Sequence, residues 1–424
     1  MAGDASSMPI GYLIPEFPGQ THIFFWREIQ ELRQLGVEPE LVSTRLPDRR
    51  IQCHEWSRQA VAQTTYLYPP TAKTSLRGLG ELIRGGPAGW WRTWKAVCGA
   101  GVRWVPRNLA LAMMGANLAA LARQRGWKHL HTHSCADACL IAVFANRVAG
   151  LPYSLTLHGP LHDYGTQQPL KWRHASFAVV ITRKLMAEVR AQLGPYLPTA
   201  LELAPMGVNL AVFQRKSGYR PWAGQGPARL VSCGRLNRIK GHQELIEAVR
   251  LLRDKGLDVQ LHICGEDEGG GDGFHRQLQA QIDEAGMGAA VRLLGAVSEQ
   301  RLRDEIESAH LFTLASHHEP LGVAIMEAMA MGLPVITTNA GGVPELIDHE
   351  QDGLLVNPKE PAAMAEAVER VLHDSILAAR LASAARAKIE RSFHSGLSAQ
   401  AIARSILGQA KAVAMSPVAA RVAS

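Results

Sequence analysis

Glu319-Pro-Leu-Gly-Val-Ala-Ile-Met-Glu327, running on as AMAMGLPVITT to Thr338, is the stretch whose reading decides the fold. It sets two carboxylates with seven residues between them across a helix start, stops the helix at Gly332, and follows at once with an apolar strand. A helix, a glycine stop and a short buried strand in succession form the repeating unit of a parallel sheet covered on both faces. Charged side chains are seldom fully buried without partners, so a carboxylate pair in such a segment points to a site. Gly322 grants close approach to the backbone, and the helix after it offers unpaired N–H groups and a positive dipole end to an anion. The pair reads as holding hydroxyls of a sugar nucleotide; the alternative is a capping glutamate beside a solvated one.

Working outward, the same alternation covers both halves of the chain. Upstream of Glu319 stand the strand Arg229–Cys233, a helix over Glu244–Lys255, the strand Val259–Cys264, a helix over Phe274–Ala285, the strand Val291–Leu294, a helix over Glu299–Ala309 and the strand Leu311–Ala315. The first half opens with the strand Ile10–Ile14, a loop Pro15–His22 and a helix over Ile23–Leu35. Then come His129–His133, a helix over Ala136–Val148, the strand Tyr153–His158, and Phe177–Ile181. The expected fold is α/β: two facing, doubly wound, Rossmann-like domains with a cleft between them, the number of domains that 424 residues suggest. The boundaries fall at 1–208, a linker 209–227 rich in Gly, Pro and Arg, 228–395, and a C-terminal helix and tail 396–424 in which Met415–Ser424 is expected to be disordered.

Six cysteines show no disulfide spacing for so long a chain, which fits a reducing compartment. No basic-then-apolar leader opens the sequence, and the most apolar run, Leu109–Leu121, is too short to span a bilayer. A cytoplasmic location is expected. The net charge of +7 is uneven: residues 1–208 hold 22 lysines and arginines against 13 acidic residues, and within 41–150 the balance is 15 to 4. Trp90, Trp91, Trp94 and Trp104 share that basic stretch. The mixture suits an anionic membrane surface, on the cytoplasmic face of an inner membrane, or a lipid-phosphate acceptor; core tryptophans behind a solvated basic face account for it equally well. Nucleic acid is not expected as a partner.

Polar loops follow the strands, where ligands of such sheets sit. Arg235 and Lys240, in Cys233-Gly-Arg-Leu-Asn-Arg-Ile-Lys-Gly241, could clamp a diphosphate, and a basic surface turn is the alternative. The loop is not of the G-x-x-x-x-G-K-[ST] type. Gly19, in Phe17-Pro-Gly-Gln-Thr-His22, suits close approach to a phosphate or a sugar, or an ordinary turn. His158 ends an apolar strand and is expected to project into the cleft. His131, His133, Cys135 and Cys139 look superficially like a metal cluster, but strand and turn separate them, so no metal is expected. Gly341-Gly342 makes a further glycine turn into a helix, beside the same site or apart from it.

Together these segments resemble retaining glycosyltransferases of family 4, which have the GT-B fold. The carriers are Glu319-x7-Glu327 with AMAMGLPVITTNAGGVPELI after it, GRLNRIKGHQELIEA, and the HTHS and LTLHG pair; the likeness spans roughly residues 10–395. With EFPGQTHIFFWREIQELRQLG, it is greatest to bacterial exopolysaccharide transferases of the colanic-acid type. The resemblance implies Arg235 and Lys240 on the donor diphosphate, Glu327 on the nucleotide ribose, and Glu319 on hydroxyls of the donor sugar beside the backbone of Leu321, Gly322 and Val323. It implies His158 beside the sugar at the reacting centre and Gly19 in the glycine loop of the first domain. Gln20 stands where the family has a second loop glycine, and Gly159 where an aspartate is common.

The implied reaction is transfer of a hexose from a UDP- or GDP-sugar to a hydroxyl of a glycan or lipid-linked acceptor, with retention, needing neither cofactor nor metal. No covalent nucleophile declares itself, so same-face attack is expected, with the departing phosphate oxygen taking the acceptor proton. A sugar-nucleotide epimerase and a non-catalytic membrane-surface assembly protein are the competing readings. A nicotinamide dehydrogenase would want G-x-G-x-x-G after a strand, which neither half carries. Sugar, base, linkage and oligomeric state do not read from the sequence, nor do residues 41–110, taken as acceptor loops.

Overall fold

A computed structural model of the chain describes residues 7–267 and 273–414. The disorder expected at Met415–Ser424 therefore lies outside the described residues. Strands β1 Met8–Glu16, β2 Val37–Arg45, β3 Thr65–Tyr66, β4 Leu130–His133, β5 Tyr153–Leu157, β6 Ala178–Val180 and β7 Leu201–Leu203 form one sheet in the order β3-β2-β1-β4-β5-β6-β7. Strands β8 Ala228–Cys233, β9 Val259–Cys264, β10 Val291–Leu293, β11 Leu311–Leu314, β12 Val335–Thr338 and β13 Leu354–Val356 form another, in the order β10-β9-β8-β11-β12-β13. The pairings are parallel throughout. Both sheets thus reverse winding beside their first strand, the doubly wound arrangement in which a crevice opens at the carboxyl edge.

Helices cover the sheets: α1 Ile23–Gln34, α2 Ser57–Gln63, α3 Ala72–Cys98, α4 Val105–Arg125, α5 Asp137–Ala149, α6 Gln168–Trp172 and α7 Arg183–Leu193 on the first, α8 His242–Asp254, α9 Gly273–Glu284, α10 Glu299–Ser308, α11 Val323–Ala330, α12 Val343–Leu346 and α13 Pro361–His373 on the second. Strand sequences such as YSLTL, LFTL and VITT are buried along their whole length, as expected where both faces are covered. On α8, Leu245, Val249 and Leu252 recur at helical spacing and are buried against the sheet and α13. Each contributes about 1.5–3 kcal/mol by leaving water, and Leu252→Ala would cost about 2–5 kcal/mol.

Two chain crossings join the domains side by side. One is the linker after Val208; at the other the chain returns through Phe393–Ser395, where Val208 N donates to Phe393 O at 2.9 Å and Ser395 N to Val208 O at 3.0 Å. Helix α14 Ser375–Ser392 precedes this return and α15 Gly396–Ala414 follows it. Ile402 and Ile406 of α15 share a core with Ile10, Phe25 and Ile29, so the last helix, set apart in the sequence reading, packs as part of the first domain.

Residues 41–110, unread in the sequence, are mostly regular. Helix α3 carries them along α4 and α5, bending at Gly86 (φ 60°) before Pro87. Its face exposes Leu76, Leu79, Ile83, Trp90, Trp91 and Trp94, and Trp104 is half-buried. The three tryptophans of α3 are therefore surface residues and not the core tryptophans of the plainer reading. No described helix is long and apolar enough to cross a membrane.

Candidate active site

The loop from β8 to α8 carries Arg235 and a tight turn Arg238–Lys240, capped by Asn237, whose Oδ1 accepts from Lys240 N at 3.2 Å. The turn ends at Gly241 (φ 67°), where a Cβ would stand 1.9 Å from the Ala315 carbonyl oxygen. Only glycine lets these two loops touch. The contact brings the Lys240 ammonium onto Glu319 Oε2, to which Ser316 Oγ also donates at 3.3 Å. Both members of the pair are nearly buried, 13% and 9% exposed, so it is screened far less than a surface ion pair. Leu321 and Gly322 form the turn into α11, and Val323 is its first residue. Gly342 N donates to Glu319 O at 2.9 Å, which places the second glycine turn beside this site.

Glu327 lies one turn into α11 and is buried, so neither carboxylate is the solvated residue of the plainer reading. Its Oε1 accepts from Arg27 Nη2 at 2.6 Å, and Arg27 belongs to α1 of the first domain. The same guanidinium reaches Glu299 at 3.0 Å and lies 4.8 Å over the ring of Phe213 in the linker. Burial raises the Glu327 pKa, with Arg27 opposing the rise. The residue expected at the ribose is thus also the anchor of an inter-domain ion pair. Sequence reading missed Arg27; the available signal was two adjacent charges, Arg27-Glu28, inside an otherwise aromatic and aliphatic run, IFFWREI.

In the first domain, Gly19 is buried with the His22 ring 3.1 Å from the place of a Cβ. Burial, with Arg235 across the cleft and His54 adding repulsion, holds His22 down at about 3. The loop therefore faces Arg235. Gln20 spans the same gap: its Nε2 donates to Glu266 O at 2.9 Å and its Oε1 accepts from Glu266 N at 3.0 Å. The family departure at this position is an amide clamped to the backbone of the opposite domain.

His158 follows β5, half-buried, and lies in a chain of polar groups. Its Nε2 is 3.0 Å from His133 Nδ1, His133 Nε2 is 3.3 Å from Glu28 Oε1, and that oxygen accepts from Tyr12 Oη at 2.5 Å. Burial pushes both histidines down to about 3, so both are neutral at pH 7. The next residue, Gly159, would carry a Cβ 3.7 Å from Pro320 Cγ, which sets the His158 loop directly against the Glu319 loop. Gly19, His158, Arg235, Lys240, Glu319 and the Leu321–Val323 turn thus meet at the facing carboxyl edges, with Glu327 tied beside them through Arg27.

Glu28, His131 and His133 bring one potential metal-ligand atom each within 4.8 Å of one another. His131 is bonded through both ring nitrogens, to Ser154 Oγ at 2.8 Å and Thr156 Oγ1 at 3.0 Å, and His133 through Nδ1 to His158, while His133 Nε2 is buried without a hydrogen-bond partner. Cys135 and Cys139 are buried thiols with pKa values pushed up by burial, Cys139 to about 12, and neither belongs to this cluster.

Comparison with known proteins bears on the fold and on the second domain. Residues 223–388 match the family described as glycosyl transferases group 1. TuaC of Bacillus subtilis, assigned to teichuronic acid biosynthesis, is 28% identical over 91% of this chain and 93% of its own length. WcaL of Escherichia coli, assigned to colanic acid biosynthesis, is 24% identical over 91% and 96%. Anabaena HepE, solved in complex with UDP-glucose, superimposes with a TM-score of 0.72 at 19% identity, over 95% of this chain and all of its own. The second domain of this chain is a glycosyl transferases group 1 domain, and the two-domain framework that holds it is of the GT-B type.

Proposed function

We propose that the chain transfers a hexose from a UDP- or GDP-sugar to a hydroxyl of a glycan or lipid-linked acceptor, with retention and without a metal ion, in bacterial polysaccharide biosynthesis. The observation that carries this reading is the Lys240–Glu319 pair set against the His158–Gly159 loop, with Arg235 facing the Gly19–His22 loop. Arg235 and Lys240 supply positive charge where a nucleotide diphosphate departs, the task a divalent ion performs elsewhere. Glu319, oriented by Lys240 and Ser316, holds hydroxyls of the donor sugar; already engaged, it is a poor candidate for a covalent nucleophile. The acceptor hydroxyl then attacks from the face of the leaving group and passes its proton to the departing phosphate oxygen. The polysaccharide setting is the one assigned to TuaC and WcaL.

The neutral histidine chain fits this role. Glu28 Oε1, 3.3 Å from His133 Nε2 but not hydrogen-bonded to it, favours by its charge the Nε2–H tautomer of His133, whose Nδ1 then accepts from His158 Nε2–H. His158 Nδ1, buried and without a partner, is left as a lone pair that accepts a sugar hydroxyl. The exposed tryptophans and surrounding cations of α3 support peripheral attachment to an anionic membrane, checked by sedimentation with anionic vesicles at low salt.

Thermal unfolding with UDP, GDP, ADP or NAD in the presence of a chelator tests the donor class. UDP or GDP at about 100 times its dissociation constant should add about 2.7 kcal/mol. Products then show whether the anomeric configuration is kept. Absence of any UDP or GDP effect, or inversion in the product, would overturn the reading.

A further inference from the structure

A second concave site lies in the first domain, away from the catalytic loops but joined to them through the chain. It is a groove of about 700 Å³ between the end of α3, the start of α4, the last turn of α5 and α6. Five cations line it: Arg92, Lys95, Arg103, Arg147 and Arg173. No acidic residue does. Among the described residues none of the five forms an ion pair, and Arg147 Nε is buried without a hydrogen-bond partner. Burial disfavours the charged form of Arg147, and the neighbouring Arg92 and Arg173 add repulsion. Convergent like charges at an unneutralised, partly buried site cost stability unless an anion occupies it.

The adjoining hollow makes the contrast. There Glu81 takes a two-pronged bond from Arg123, at 2.7 and 2.9 Å, and stands 3.7 Å from Arg84, so of the three arginines lining it all but Arg92, which it shares with the groove, are answered within the chain. The groove has no such answer.

Its other features say what kind of anion fits. Trp104, Leu170, Pro169 and Ala96 supply apolar wall between the cations. The helix that contributes Arg92 and Lys95 presents Trp90, Trp91 and Trp94 to solvent at 51–60% exposure. The floor is α6, which begins shortly after the Leu161–Tyr164 turn of the segment leading from His158. A groove with cations, apolar walls and an exposed aromatic rim matches a phosphorylated amphiphile.

We propose that this groove holds the phosphate or diphosphate of a lipid-linked acceptor, whose hydroxyl-bearing head reaches the cleft. The assignment rests on the glycosyltransferase reading and specifies its acceptor class.

Titration calorimetry of the full chain with farnesyl diphosphate and with inorganic pyrophosphate tests it, on the wild type, Arg103→Glu/Arg173→Glu, and Arg58→Glu/Lys73→Glu as a control of equal charge change outside the groove. All four positions are exposed, so the variants should fold. The expected result is tighter binding of farnesyl diphosphate than of pyrophosphate, weakened at least about tenfold in the groove variant and little in the control. Equal affinity for both ligands, equal loss in both variants, or equal competition by phosphatidylglycerol vesicles overturns the proposal. A UDP titration separates the two failures. A chain that binds UDP but shows no groove effect loses only the groove; one that binds farnesyl diphosphate through the groove but no UDP or GDP keeps it and loses the transferase reading.

Discussion

The two domains share one winding order and place their polar loops at the same edge, yet they furnish those edges with opposite chemistry. The second domain presents formal charge: Arg235, the Lys240–Glu319 pair, and Glu327 answered by Arg27. The first, Arg27 and Glu28 apart, presents neutral groups: His22, His133 and His158, each held at about 3 by burial. The difference matches what each edge must do. Charge is useful where a diphosphate leaves, whereas neutral hydrogen-bonding groups can orient sugar hydroxyls in a closed space without attracting water.

The largest expected effect follows from that asymmetry and acidity. His22, His129, His133 and His158 stand at about 3 and His131 is pushed well down by burial, all in the first domain, against His242 and His310 at about 4 in the second. A histidine whose folded pKa lies below its unfolded value of about 6.5 binds protons preferentially when unfolded, so its stability is full above that value and is lost as pH falls toward the folded one. One uncoupled group of this kind removes about 2 kcal/mol between pH 7 and 5. Glu327, raised by burial from 4.5, works with the opposite sign as pH falls through its raised value, so it offsets part of the loss at the domain interface. Hydrogen exchange at pH 7 and pH 5 should show the first sheet losing protection well before the second. Simultaneous loss in both would break the comparison.

Across the interface, the Arg27–Glu327 pair makes the charged edge depend on the neutral domain. Arg27→Ala leaves a carboxylate buried without its partner and should cost about 3–5 kcal/mol in urea unfolding. Arg27→Met/Glu327→Met should recover most of that stability while still failing to bind nucleotide. A loss under about 1 kcal/mol for the single variant would mean that the pair does not tie the domains together.

Lys240→Ala tests the charged edge alone. It removes the cation proposed for the leaving diphosphate and frees Glu319, so kcat should fall by about 10²–10³. His158→Ala, which leaves every charge in place, should mainly alter the use of the sugar. Equal pH–rate profiles and equal donor KM in the two variants would contradict the division of labour.

What could be read in advance follows physical contrast. Glu319, Glu327, Arg235 and Lys240 stand out because charge is conspicuous in apolar segments that must lie inside a domain. Tyr12 and Glu28 do not: a tyrosine in a buried strand reads as core, a glutamate on a helix reads as solvated, and only their 2.5 Å contact shows a network. Helix α3 was hidden for another reason. Its glycines and Pro87 erase helical periodicity, but Gly85 is where α3 meets α5, with a Cβ site 2.7 Å from the Val148 carbonyl oxygen. Close helix packing looked like a loop.

The smallest effect belongs to Gln20, the residue that couples the two edges most directly. Its amide donates to and accepts from the backbone of Glu266, two hydrogen bonds that exist only while the domains are closed. Each is worth about 0.5–1.5 kcal/mol, so Gln20→Ala should shift the open–closed balance by about 1–3 kcal/mol without touching a charge. Gln20→Glu should do at least as much, since it removes the donor and sets a carboxylate oxygen against the Glu266 carbonyl. If closure excludes water from the neutral edge, donor hydrolysis without acceptor should rise relative to transfer as the closed state becomes less populated. Energy transfer between dyes on the two domains, read together with hydrolysis, would decide it. An unchanged inter-domain distance would show that the clamp does not govern closure, and a longer distance without added hydrolysis would show that the histidine-lined edge is not what keeps water out.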